Sequence, residues 1–244
     1  MPRQDVLDDL QGGLPDGAVL NDPDVTAGYR RDEAHLCPAG VPFAVVLPRE
    51  TAHVQHVLRV AGRHGVPVVP QGARSGLSGG ANAVDGCLLL SLQRMDRILA
   101  LEAPDRYAVV QPGVVNAALA DAAAAHGLAY PPDPSSRGWS TLGGNIATNA
   151  GGLCCVKYGV TADFVLGLEV VLADGSVLRT GRRTAKGVAG YDLTRVFVGS
   201  EGTLGVVTEA TLALRPAAGA ARTLAAVFLS TAAAGAAVAA ITAA

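Results

Sequence analysis

Three stretches of this 244-residue chain put glycine and small polar residues where a backbone could grip a phosphate. They are residues 70–80 (PQGARSGLSGG), 131–152 (PPDPSSRGWSTLGGNIATNAGG) and 199–205 (GSEGTLG). Turns of this composition present successive N–H groups and form anion-binding concavities. Where Cβ is missing, a ligand can lie against bare backbone. The middle stretch has neither helical nor strand period, and a structureless run of that length is unusual unless it holds something. Any one of these loops alone reads as a plain turn. Together they point to a large phosphate-bearing ligand. The patterns GxxxxGK[ST] and GxGxxG are both absent: Gly72 is followed by Ala73 and Arg74, and the next glycine is Gly76. A simple Rossmann NAD domain is therefore disfavoured.

Other chemistry-bearing residues read more plainly. His53 and His56 sit at i, i+3 with no third metal ligand nearby in sequence, which fits a solvent-facing helix. His126 near a helix C-terminus needs no function beyond the helix dipole. Cys37, Cys87, Cys154 and Cys155 fit no zinc or disulfide spacing and read as reduced cytoplasmic thiols. The adjacent pair Cys154 and Cys155 reads as packing before redox chemistry. Lys157 and Tyr158 follow the middle stretch, as loop residues first and ligand contacts second. Trp139 reads equally as a lid over a ligand and as a packing anchor. Arg182, Arg183 and Lys186 read as a solvated basic loop. No Ser–His–Asp or paired-carboxylate arrangement stands out, so no residue is assigned a catalytic role and none a metal.

The elements that would position the loops follow from periodicity. Residues 43–47 (FAVVL) form a buried-strand candidate. Thr51 reads as an N-cap, with Val54, Val57, Leu58 and Ala61 at helical spacing and Gly65 as the stop. Residues 66–69 make the next strand, giving a βαβ unit that runs into the first loop. Strands follow at 87–92, within 94–101 and at 107–111. Asn116 reads as the cap of an alanine-rich helix closed by Gly127. Residues 165–172 and 176–180 form a hairpin around Asp174 and Gly175. Strands are expected at 196–198 and 206–214, and again at 223–230 after a linker at 216–222. An alanine-rich helix starts at Thr231. The fold class is α+β: a small βαβ lobe followed by a larger, strand-rich lobe.

Half the residues are hydrophobic, 16% are charged and the net charge is −2. Nothing here draws the chain to nucleic acid or an anionic membrane surface. No window has the apolar length of a membrane span. Residues 1–13 are acidic and lack the apolar core of a secretory signal. These features place the chain in the cytoplasm.

The three loops in this order resemble the FAD-linked oxidase family, whose fold is that of vanillyl-alcohol oxidase and p-cresol methylhydroxylase. The run LTRVFVGSEGTLG at 193–205 is particularly characteristic. Within the family the likeness is strongest to the glycolate oxidase flavin subunit and D-lactate dehydrogenase branch. The resemblance implies a two-lobed FAD-binding domain over residues 39–216, preceded by a lead-in at 1–38. It implies that Pro70, Gln71, Gly72, Ala73, Arg74, Ser75 and Gly76, with Leu77 and Ser78, wrap the FAD pyrophosphate. Arg74 would add charge-assisted bonds. Ser135, Ser136, Thr141, Gly143, Gly144, Ala147, Thr148 and Asn149 would follow the ADP moiety and the isoalloxazine edge. Glu201, Gly202, Gly205, Val206 and Val207 would lie near the adenosine and flavin. Residues 70–80 hold no histidine for covalent attachment, so FAD is expected to be dissociable. The implied activity is hydride transfer from a small 2-hydroxy acid to flavin N5, followed by delivery to an unnamed electron acceptor. Substrate groups would lie on a second domain, of which residues 217–244 are expected to be an incomplete start. Two rivals keep the fold: an alcohol or sugar oxidase, and an FAD-binding remnant without turnover.

Overall fold

The computed structural model describes residues 4–184, 188–219 and 223–243. The small lobe contains α1 (Gln4–Gln11), β1 (Val19–Leu20), α2 (Pro23–Ala27), β2 (Ala44–Val46), α3 (Thr51–His64), β3 (Val68–Gln71) and β4 (Leu88–Ser91). Its sheet runs β1-β2-β4-β3, with β2 and β3 both parallel to β4 and β1 antiparallel on β2. The βαβ crossover thus skips one position, which β4 fills. A parallel sheet covered on both faces needs unbroken apolar strands, and β2 and β4 are fully buried along their lengths. Val54, Val57, Leu58, Val60 and Ala61 of α3 pack on one face with Val6, Leu7 and Leu10 of α1. Val45, Ala83, Cys87 and Leu89 fill the other. The expected lead-in is therefore built into this lobe.

The large lobe contains β5 (Ile98–Glu102), β6 (Tyr107–Val110), α4 (Asn116–Ala124), β7 (Leu128–Ala129), α5 (Leu142–Ala147), α6 (Cys155–Tyr158), β8 (Val165–Val171), β9 (Val177–Gly181), α7 (Leu193–Phe197), β10 (Val206–Ala213) and β11 (Arg215–Pro216). Its main sheet is antiparallel throughout, in the order β5-β6-β10-β8-β9. Leu119 of α4 and Leu142 and Ile146 of α5 pack with Val110, Phe164, Leu168 and Leu212 to form its core. The lobes join behind α3, where Val171 and Val206 of the large sheet enter the small lobe's core. The last helix, α8 (Thr231–Ala243), buries no residue.

Several local expectations change. Thr51 is the first residue of α3 rather than its cap; Glu50 holds the cap position, and the Thr51 hydroxyl donates to Glu169 Oε1 at 2.7 Å instead. Asn116 does not cap α4. It is buried and donates to Pro132 O (3.1 Å) and Asn145 Oδ1 (3.0 Å). The middle loop contains α5, because burial of Leu142 and Ile146 outweighs the poor helix propensity of two glycines. The expected strand at 196–198 is the end of α7, started by Asp192, which accepts from Arg195 N at 3.2 Å. Residues 223–230 form no strand and are exposed. Residues 220–222 of the expected linker and Lys186 of the basic loop lie outside the described residues.

Candidate functional site

A cleft of about 810 Å³ opens between the lobes, where the small lobe's parallel strands end and the large lobe's loops return. This is the usual place for a ligand in such a sheet. The cleft is lined by every residue expected at the cofactor except Thr141 and Asn149. Thr141 stands just behind the wall: a Cβ on Gly72 would run into its Oγ1. Asn149 faces away and accepts from Ala162 N at 2.9 Å, which fixes the turn after α6.

The three loops brace one another with backbone rather than side chains. Gly199 N donates to Ile146 O and Glu201 N to Ala147 O, both at 2.9 Å, tying the third loop to α5. Gly202 has φ of 76°, and a Cβ there would sit 2.5 Å from Pro70 Cγ. Only glycine satisfies both the conformation and the approach. Behind the middle loop, Asn145 Nδ2 donates to Ser140 Oγ at 3.2 Å, which extends the buried Asn116–Asn145 pair. This network sets the angle at which α5 meets the cleft.

Two features mark the cleft as unfinished without a ligand. Non-glycine residues with positive φ are Arg74, Arg106, Asn149 and Glu201, so each of the three loops holds one. Such conformations persist where the surroundings impose them and cluster at ligand sites. The second feature is unmet hydrogen bonding. Arg74 Nη1, Gln71 Oε1 and Thr141 Oγ1 are buried without a partner. Among the described residues, no protein acceptor receives the backbone N–H groups of residues 73–78. Buried polar groups are normally paired, and this donor-rich set suits an anionic ligand. Val206 and Val207 offer an apolar wall for a flat ring system. Volume, donors and bare backbone together fit a dinucleotide.

Sequence reasoning missed part of the wall. Asp32 and Glu33 line the cleft from the expected lead-in. Asp32 is buried and accepts from Ala34 N (2.9 Å) and Gly79 N (3.0 Å), so it pins the first loop. Pro112, Asn145 and Phe197 also line the cleft, and only the fold brings them there. Trp139 separates the cleft from a smaller pocket of about 340 Å³.

The remaining candidates lie elsewhere. His53 pairs with Glu50 at 3.3 Å, His56 bonds Asp9 O at 2.9 Å, and neither they nor His126 line the cleft. Among the described residues no three potential metal ligands cluster. Lys157 lies over the Tyr158 ring at 5.2 Å, away from the cleft wall. Cys155 Sγ accepts from Gly152 N at 3.0 Å. Cys154 bonds the Asp133 carboxylate, which pushes its thiol pKa up and keeps it a poor thiolate. The pair therefore organises a turn.

Residues 42–181 match the family model described as the FAD binding domain. The chain belongs to that family. The FAD binding domain accounts for the cleft's two unfinished features, and FAD is its cofactor. The two-lobed α+β fold is that of the p-cresol methylhydroxylase type. Similar solved structures include an alkyldihydroxyacetonephosphate synthase (TM-score 0.79, 23% identity, 88% of this chain and 41% of that one). Another is a 4-ethylphenol oxidase from Gulosibacter chungangensis (TM-score 0.74, 26% identity, 87% and 42%). In sequence the chain is 52% identical over 176 residues to the Bacillus subtilis glycolate oxidase subunit GlcD, covering 72% of this chain and 37% of that protein. It is 46% identical to Escherichia coli K12 GlcD, covering 97% and 47%. It is 43% identical to a Stutzerimonas stutzeri D-2-hydroxyglutarate dehydrogenase, covering 86% and 45%. The chain spans less than half the length of these relatives. Among its described residues no helix is long and apolar enough to cross a membrane.

Proposed function

We propose that this chain is the FAD-binding part of a D-2-hydroxy-acid dehydrogenase of the glycolate or D-lactate type. The convergence of the three loops on one cleft carries the reading, and the names of the sequence relatives supply the substrate class. Bound FAD supplies the two-electron acceptor for oxidation of a 2-hydroxy acid to the 2-oxo acid. The chain's own part is to hold and orient it. The open N–H groups of residues 73–78 take the anionic portion, Pro70 and Gly202 fix how closely the first and third loops approach, and Gly72 fixes how closely the first meets the middle one. Val206 and Val207 exclude water from one wall. No covalent bond to FAD is assigned to this chain: among its described residues no histidine, cysteine or tyrosine lines the cleft. Cytoplasmic residence is supported by four free cysteines.

We assign no group of this chain to the substrate. Residues 217–244 open a second domain that carries those groups. The support is their exposure: Leu224, Val227 and Leu229 are bare, and α8 buries nothing. The test is to titrate the purified chain with FAD and follow flavin fluorescence and the melting temperature. At a hundredfold excess over Kd, linkage predicts a rise of about 5–10 °C. Absence of both signals refutes the FAD site. Dye reduction by the FAD-loaded 244-residue chain with glycolate or D-lactate would refute the assignment of substrate groups to another domain.

A further inference from the structure

Trp139 is the chain's single tryptophan, and it stands where two spaces meet. It borders both the cleft and the side pocket of about 340 Å³. Its backbone is clamped on both sides. Asn116 N donates to Ser140 O at 2.9 Å, Ala117 N donates to Arg137 O at 3.0 Å, and Thr141 bridges to Val115. The turn that carries Trp139 is thus fixed to the start of α4. The side chain is not. The residue is 46% exposed, and among the described residues its indole N–H has no hydrogen-bond acceptor and its ring no aromatic partner. A tryptophan serving as a packing anchor would be buried with its N–H paired.

The side pocket suits such a ring. Ile98, Val114, Val115 and Ala118 give it an apolar wall, and Gln93 and Asp96 line it beside them. Asp96 is exposed and has no ion-pair or hydrogen-bond partner among the described residues, so its carboxylate is free to accept an indole N–H. An apolar cavity of about 150 Å³ takes up benzene. The side pocket is larger and has room for an indole.

We propose that Trp139 is a gate with two seats. In the outward seat its ring lies across the opening of the cleft; in the inward seat it rests in the side pocket and leaves the cleft open. This rests on the reading of the cleft as the FAD site. The backbone stays in place and only the side chain turns, a fast motion for an exposed residue. With the cleft empty, the ring is shared between the seats. With FAD bound, the outward seat gains a flat face to lie on, and the population shifts there. FAD leaves only past an open gate, so its exit slows in proportion to the time the gate is shut.

The test measures FAD association and dissociation rates of the 244-residue chain by stopped-flow flavin fluorescence. Trp139→Ala should raise the dissociation rate about 3- to 10-fold, the scale of one aromatic contact, and the association rate by no more than about twofold. Ala118→Phe fills the side pocket from an exposed position of α4 and keeps the ring outward. Both rates should then fall together, about threefold or more, with Kd nearly unchanged. A role in packing alone would move Kd or the melting temperature and would not slow both rates. Ala118→Leu should act in the same direction to a smaller degree. An unchanged dissociation rate in Trp139→Ala overturns the proposal. Unchanged rates in Ala118→Phe overturn it too, because the side pocket is then not the second seat. The emission of Trp139 in the ligand-free chain gives a measurement independent of FAD. Ala118→Phe should steepen its quenching by iodide, and equal slopes in parent and variant overturn the inward seat. If the parent chain binds no FAD, the FAD site itself falls, and iodide quenching alone decides the gate.

Discussion

The two lobes meet at two seams, and the seams are built differently. Behind the molecule, α3 meets the β8–β9 hairpin through side chains that have protein partners. Glu169 is buried and accepts from Thr51 (2.7 Å), Thr208 (2.9 Å) and Arg179. Gln55 and Arg59 both donate to Gly175 O, at 2.8 and 3.0 Å. At the front, the seam where the first loop meets the other two leaves Arg74, Gln71 and Thr141 with unmet groups. It also holds two of the four non-glycine residues with positive φ among the described residues, Arg74 and Glu201. The same pair of lobes completes one joint with its own atoms and leaves the other to be completed by FAD. The back seam holds the lobes together; the front seam sets what fills the cleft.

The largest effect should come from breaking the back seam. Glu169→Ala removes the shared acceptor of two hydroxyls, one of them fully buried. Arg179 is mostly exposed, so its ion pair adds little. Thr208 keeps a longer bond to Glu169 O (3.4 Å), but loss of the charged acceptor costs about 2–3 kcal/mol, roughly 5–10 °C of melting temperature in a chain this size. FAD affinity, measured well below the melting point, should change less than threefold. A tenfold loss of affinity would show that the seams are not separate.

A front-seam change should do the reverse. In Gly72→Ala the new Cβ meets Thr141 Oγ1, and the loop must shift. Overpacking of this kind costs about 1–2 kcal/mol, enough for roughly a tenfold rise in the FAD Kd. The melting temperature without FAD should fall less than in Glu169→Ala. Equal stability losses with no change in Kd would place Gly72 in the framework and not at the ligand.

This contrast also separates what was readable in the sequence from what was not. Residues 70–78 and 199–205 announced themselves, since a loop that offers backbone to a ligand must be short of side chains. The alternating and unbroken apolar runs gave the strands of both sheets for the same local reason. Asp32 and Asn116 gave no signal. Each acts through a partner far along the chain, Gly79 and Asn145; in isolation Asp32 is one more residue of the lead-in and Asn116 reads as a helix cap. α5 was hidden because its two glycines argue against a helix, and only tertiary burial of Leu142 and Ile146 decides it. α7 was hidden by β-branched residues whose helix depends on the Asp192 cap. Glu169 sits in a strand of valines, and nothing local tells that α3 will cover it.

The smallest effect lies at the tip of the back seam. Asp174 Oδ1 accepts from Ser176 Oγ (2.6 Å) and Ser176 N (2.8 Å), closing the turn that carries Gly175 to Gln55 and Arg59. These bonds, with a minor contribution from the Arg59 charge, hold the Asp174 pKa below the ordinary 3.8. A lowered folded value means the carboxylate's contribution is present above the unfolded pKa and is lost as pH falls through the folded one. The turn should therefore loosen only in strong acid, below about pH 3.8. Because Asp174 is exposed, the change should be slight. Amide exchange at Gly175 and Ser176 should quicken as the pH drops in the parent chain, beyond the intrinsic pH dependence of exchange. In Asp174→Ala it should already be fast at neutral pH and show no such step. The front seam should not register the substitution, since Asp174 touches the lobe junction only through Gly175. A shift in FAD affinity at neutral pH in Asp174→Ala would mean that the two seams are coupled through the hairpin tip.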